Sequence, residues 1–164
     1  MVSPENAGRS LAYAELLRDL AARGECPLDP HIYFELTPAE NVLRRTGGWI
    51  LGKASVPYEN TEQEKPDVTG HMLLFPERHI VSPDEMTGRE QRMFWKMCKI
   101  ARDDFGAATG AVVLRYSTEG QHAAVGASIA HIHAHLVVPH LEPETGRVPG
   151  AGTPDAEVVT VRIG

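Results

Sequence analysis

Three histidines at alternating positions, His131, His133 and His135, are the residues best suited to chemistry in this 164-residue chain. They stand in the run His131-Ile132-His133-Ala134-His135-Leu136-Val137-Val138. On a strand, side chains alternate between faces, so the three imidazoles would share one side and Ile132, Ala134 and Leu136 the other. Neighbouring imidazoles penalise one another's protonation, which keeps some of them neutral and nucleophilic near neutral pH. Two chemistries could use such a row. One is metal binding, for which His-x-His on a strand is a common zinc arrangement. The other is nucleophilic catalysis on phosphorus, in which one imidazole attacks and its neighbours stabilise charge or donate a proton. A set of half-buried structural histidines is the plain alternative.

The residues before the row favour the second chemistry. Gly126-Ala127-Ser128 places a glycine and a hydroxyl where a turn can aim backbone N–H groups and one side-chain O–H at an anion. A metal site would call for a carboxylate close by, and the nearest acids are Glu119 and Glu142. His122, in the same loop, could touch a substrate. His79 reads as a structural turn histidine, Arg115 as a surface arginine that could approach a phosphate, and His71 as a strand residue facing either side.

The elements that must position these groups follow from periodicity. Ser3, Pro4 and Glu5 open a helix with Leu11, Leu16, Leu17 and Leu20 at helical spacing, and Gly24 stops it. Strand-like stretches follow at His31 to Leu36, Asn41 to Thr46 and Trp49 to Ala54, the last two joined by a tight Gly47-Gly48 turn. Val56 to Thr69 is a polar loop of a length suited to the rim of a site. His71 to Pro76 is a buried strand. Thr87 and Glu90 form a capping box ahead of an amphipathic helix carrying Met93, Phe94, Met97, Ile100 and Ala101, which ends near Gly106. Ala111 to Arg115 is a strand, Ser117 to Ala130 a loop, and His131 to Val138 the histidine strand. Leu141 to Asp155 is irregular, and Val158 to Ile163 forms a last strand. Strands in succession with helices at two places imply an α+β fold with a mostly antiparallel sheet.

Composition narrows the field. A mass of 17.9 kDa suits one domain over residues 1–164: an N-terminal helix and turn (1–30), a core (31–140) and a C-terminal tail (141–164). The net charge of −6 argues against long nucleic acid as a partner, because such binding runs on Lys and Arg neutralising phosphates. Cys26 and Cys98 form no C-x-x-C pair, so neither a disulfide framework nor a cysteine-built zinc site is expected. No signal peptide or membrane span is read, and a cytoplasmic setting is expected.

The run HIHAHLVV resembles the signature of the histidine triad (HIT) family, in which three histidines alternate with apolar residues. The likeness extends upstream through GHMLLFPERHI, Gly70 to Ile80, and the capped helix after it, and covers about residues 31–140. It implies a half-barrel α+β fold, a homodimer and a small nucleotide as substrate, hydrolysed or transferred with no metal cofactor. His133 would attack the α-phosphorus and form a nucleotidyl-histidine. His131 would orient it, His135 would contact phosphate oxygens, and Ser128 would reach the phosphate or the leaving group. Trp49 and Ile50 fall where the family buries a wall for the base, and Thr118, Gly126 and Ala127 fall on its phosphate-side loop. The chain departs from the family where many members hold the ribose with Asp or Asn: Ala54 stands there, between Lys53 and Ser55. Thr118-Glu119-Gly120 replaces an Asn-Glu-Gly turn, Ala127 stands at a position that is often Gln, and the loop Gln121 to Val125 is longer than in the common short members. The family's occasional zinc site finds no complete cysteine set.

Overall fold

In the computed structural model, residues 11–54, 68–108, 110–116 and 129–139 are described. The start of the first helix, the loop after Ala54, the loop before the triad and the final strand expected from sequence lie outside them.

Helix α1 (Leu11–Arg23) buries Ala14, Leu17 and Leu20, the face set by their spacing. It ends where Gly24 takes a φ of 70°, a left-handed conformation that costs glycine little. The stretch expected as a first strand is instead helix α2 (Pro30–Leu36). Ile, Tyr and Phe are strand-favouring residues, yet Pro30 sits pre-set in the first helical turn and the Tyr33 N–H donates to the Asp29 carbonyl at 2.8 Å. Burial of Ile32 and of Tyr33, the latter against Ile50 and Phe75 of the sheet, then outweighs the weak strand preference.

Strand β1 (Val42–Thr46) turns into β2 (Trp49–Lys53) through Gly47 and Gly48, with φ of 59° and 81°. Two positive φ values in a two-residue loop match the twist of the flanking strands, and only glycine adopts them at little cost. Then come β3 (Val68–Pro76), α3 (Gly88–Asp104), β4 (Ala111–Arg115) and β5 (His133–Pro139). The expected capping box is present: Thr87 accepts from the Glu90 N–H at 3.2 Å, and Glu90 accepts from the Thr87 N–H at 2.8 Å. Glu90 also takes a two-point contact from Arg78, at 2.8 and 3.0 Å.

The five strands form an antiparallel sheet in the order β1-β2-β3-β5-β4. One face carries Trp49, Leu51, Met72, Leu74, Ala134 and Leu136 against Phe94, Met97 and Ala101 of α3. Burying each large apolar side chain here is worth about 1.5–3 kcal/mol. On the other face Ile50 and Phe75 pack with Cys26, Leu28, Tyr33 and Ile129. Among the described residues, no helix is long and apolar enough to cross a membrane.

Candidate active site

The register of β3 against β5 gathers the histidines. Leu73 lies opposite His135 and Val137 opposite His71, so His71 and His135 sit diagonally on the face turned away from α3. Their rings meet, His71 Nε2 to His135 Nδ1 at 2.8 Å. His133 follows on the same face, with its ring centre 5.0 Å from that of His135. His133 and His135 thus share a face as strand alternation requires, and His71 joins them as a further imidazole.

His131 lies on the same face of the sheet, against Phe75 and Cys26. It precedes β5, where the chain bends, and its ring turns towards the segment between α1 and α2. Its Nε2–H donates to the Pro76 carbonyl at 2.9 Å, which leaves Nδ1 with its lone pair facing Cys26 Sγ at 3.8 Å and Asp29 Oδ1 at 3.5 Å. What His131 presents to His133 is its main chain: its carbonyl accepts from His133 Nδ1–H at 2.8 Å. That bond fixes the His133 tautomer and leaves Nε2 with the free lone pair.

Electrostatics keep the imidazoles neutral. Burial, reinforced by the Arg115 charge, lowers His133 below the ordinary histidine value, against the opposing hydrogen bond to His131. Burial, then the neighbouring His133 and His71, brings His135 down to about 2. Burial is also the largest cause for His71 and for His131, each lowered to about 4. A neutral, desolvated imidazole with an oriented lone pair is a competent nucleophile.

A second cluster was not read from the sequence. Cys26, Asp29, His79 and His131 bring one donor atom each to within 4.8 Å of one another. Asp29 does not cap α2; its Oδ1 lies 2.8 Å from His79 Nδ1. The set of one thiol, one carboxylate and two imidazoles suits a tetrahedral cation such as zinc, and the bond from His131 Nε2–H to Pro76 is the outer support that a metal-binding imidazole usually has. Burial holds the Cys26 thiol up at about 11, so uptake of a metal would release its proton. The available signal was Cys26-x-x-Asp29, a ligand pair with a carboxylate in place of a second thiol. His79, expected as a structural turn residue, belongs to this cluster. The metal site that might have used all three histidines of the row is not what the geometry gathers, since only His131 turns to these donors.

The remaining expected site residues divide. Trp49 is a correction: it is 1% exposed and packs on Phe94, on the α3 side of the sheet, away from the histidines. Strand alternation accounts for this, since its neighbour Ile50 takes the histidine side. There Ile50 is wholly buried among Tyr33, Phe75 and Cys26, so it supports the site from below. Ala54, the residue after β2, donates its N–H to the His71 carbonyl at 2.9 Å. Ser128, Gly126, Ala127, Thr118 and His122 lie outside the described residues.

Comparison with known proteins decides the family. The model of the HIT domain matches residues 60–141, half of the chain. The chain belongs to the HIT domain family. The matched span holds β3, α3, β4 and β5 and thus the whole HIT triad, whereas Cys26 and Asp29 of the second cluster lie before it. No curated protein matches the chain. Solved structures share the HIT fold at low identity. A histidine triad nucleotide-binding protein from Candida albicans is 13% identical, with a TM-score of 0.53 over 68% of this chain and 73% of that one. A hypothetical histidine triad nucleotide-binding protein from Sulfolobus tokodaii is 18% identical, with a TM-score of 0.52 over 71% of this chain and 70% of that one. A hypothetical protein from Leishmania major is 18% identical, with a TM-score of 0.53 over 79% of this chain and 83% of that one.

Proposed function

We propose that this HIT domain is a nucleotide hydrolase or nucleotidyl transferase that cleaves a phosphoanhydride or phosphoramidate at the α-phosphate through His133. The observation that carries the reading is the 2.8 Å bond from His133 Nδ1–H to the His131 carbonyl. It leaves Nε2 as a lone pair of fixed direction on a buried, neutral ring. Nε2 bonds to the α-phosphorus as the bond from phosphorus to the leaving group breaks, and the leaving group takes up a proton. Water, or another acceptor, then attacks the nucleotidyl-histidine. The P–N bond breaks, the acceptor loses its proton, and the imidazole returns to its starting state. His135, held by His71, contacts phosphate oxygens, and Ser128 serves the phosphate or the leaving group. His131 orients His133 through its carbonyl rather than its ring. A cation held by Cys26, Asp29, His79 and His131 would tie the segment before α2 to the start of the triad, as a structural element outside the reaction.

His133→Ala is expected to reduce turnover by about a thousandfold or more, as removal of a covalent nucleophile does. Mass spectrometry of native enzyme quenched during turnover should show a nucleotidyl adduct on His133. A panel of dinucleoside polyphosphates, nucleoside phosphoramidates and sugar nucleotides that all stay intact would sink the proposal. The second reading, a nucleotide-binding regulatory protein with little turnover, is motivated by Ala54 at the family's ribose position. Tight binding without cleavage would favour it.

We also propose a homodimer paired through β4. β4 is the sheet's edge beside β5, and it presents Val112, 45% exposed, with Tyr116 just beyond it at 53%. The opposite edge, β1, is guarded by the ion pairs Arg44–Asp104 and Arg45–Glu77.

A further inference from the structure

We propose that the outward face of α3 is a docking surface for an acidic helix of another protein, anchored by Trp95. α3 covers one face of the sheet and the histidines stand on the other, so this inference is independent of the nucleotide reading. The helix buries Phe94, Met97 and Ala101 yet leaves Trp95 67% exposed. The indole meets the edge of the Phe94 ring, with ring centres 5.0 Å apart, and most of it stands in solvent. Arg89, Arg92, Lys96 and Lys99 recur at spacings of three, four and three, so they form one exposed row about 15 Å long. Trp95 is the helical neighbour of both Arg92 and Lys99. Arg89 and Lys96 flank Met93, whose side chain lies against Gly47 in the turn between β1 and β2. Cys98, on the opposite flank, shares a hollow with Val112 of β4. The row is therefore clear of the β4 edge.

Charge and spacing together specify the occupant. The acids of α3 are already engaged: Glu90 with Arg78, Asp103 with Lys99 and Arg102, and Asp104 with Arg44. Among the described residues, Arg89, Arg92 and Lys96 form no ion pair. Like charges three and four positions apart repel, so the row weakens the helix that carries it. Carboxylates from a partner relieve that repulsion. A second helix laid along α3 repeats the three-four spacing and sets a carboxylate against each cation. Exposed ion pairs add little affinity but govern partner choice and encounter rate. The row thus selects the partner, and burial of the Trp95 indole holds it. A membrane surface is a poorer match, because the apolar face of α3 is packed on the sheet and cannot enter lipid. The net charge of −6 disfavours long nucleic acid.

The test follows tryptophan emission of the full chain, in which Trp95 is the solvent-facing indole and Trp49 is buried. The probe is a synthetic peptide of about 20 residues, long enough to form a helix, with glutamates at the three-four spacing and leucines beside them. A peptide of the same composition, its glutamates spread around the helix, is the control. The patterned peptide should shift the emission to the blue and bind about fivefold or more tightly than the control. Its affinity should fall several-fold as salt rises from about 50 to 300 mM. Calorimetry should show a loss of about tenfold or more in Trp95→Ala and in Lys96→Glu, and a smaller loss in Arg92→Gln. Should Trp95→Ala melt early, Lys96→Glu decides. Equal binding of the two peptides, or an affinity in Lys96→Glu within twofold of native, overturns the inference. Tighter binding of phosphatidylserine vesicles or of an oligouridylate also overturns it, and assigns the face to a membrane or to nucleic acid. So does an indole already shielded from acrylamide in the native protein, because a second copy of the chain then covers it.

Discussion

At the scale of single residues, the site depends on which nitrogen of each ring carries the proton. Carbonyl acceptors set this for two rings: Pro76 takes Nε2–H of His131 and His131 takes Nδ1–H of His133. One ring is left with its lone pair towards Asp29 and Cys26, the other with its lone pair free for chemistry. Desolvation has a consequence for stability. His71 is lowered to about 4 in the folded chain, mainly by burial, against an ordinary value near 6.5. Its neutral form is favoured by folding, so that contribution is complete above pH 6.5 and is lost as pH falls from there towards 4. At most about 3 kcal/mol is at stake for this group. The urea midpoint should fall steadily between pH 6.5 and 4.5, and the fall should be shallower in His71→Asn. A midpoint that is flat across this range would contradict the neutral, buried assignment.

At the scale of elements, the turn between α1 and α2 matters more than its length suggests. Asp29 forgoes capping α2 and turns its carboxylate to His79, and Cys26 approaches His131. Two residues of this turn thereby meet the segment after β3 and the start of the triad. If the cluster takes up a cation, elemental analysis of untagged protein should find about one zinc per chain, and Cys26→Ser and Asp29→Ala should each lower that occupancy. Chelation should lower the melting temperature by several degrees, because removing the tie frees the turn. Occupancy that survives both substitutions would rule the cluster out as the site. The same turn shows where local sequence misleads. His31 to Leu36 carries strand-favouring side chains, and only its packing beneath the sheet makes it a helix. The capping box at Thr87 and the Gly47-Gly48 turn were legible because each is a local device: the residues that make it lie within three positions of one another.

At the scale of the whole molecule, the sheet has two unlike edges. Charged pairs on β1 discourage strand addition, whereas β4 offers apolar side chains to a partner. Sedimentation should give a mass near twice the 17.9 kDa of one chain, and Val112→Glu should shift it towards the monomer. A native protein that sediments as a monomer at micromolar concentration would remove the β4 interface.

The sequence by itself determined the α+β class, the strand with alternating histidines, the capped helix behind it and the HIT family. These are periodic or local signals, written in residues near one another in the chain. Tertiary structure alone decided the partners. It aimed the ring of His131 at Cys26 and Asp29, brought His71 onto His135 across 64 positions, set Arg115 opposite His133, and assembled Cys26 with His131 across 105. The reason is physical. Strand period tells which side chains share a face, but the register between strands, and the path of the chain before β5, decide which of those side chains touch. Register is fixed by the packing of the whole sheet between α3 and the segment around α2, and no stretch of sequence carries that information alone.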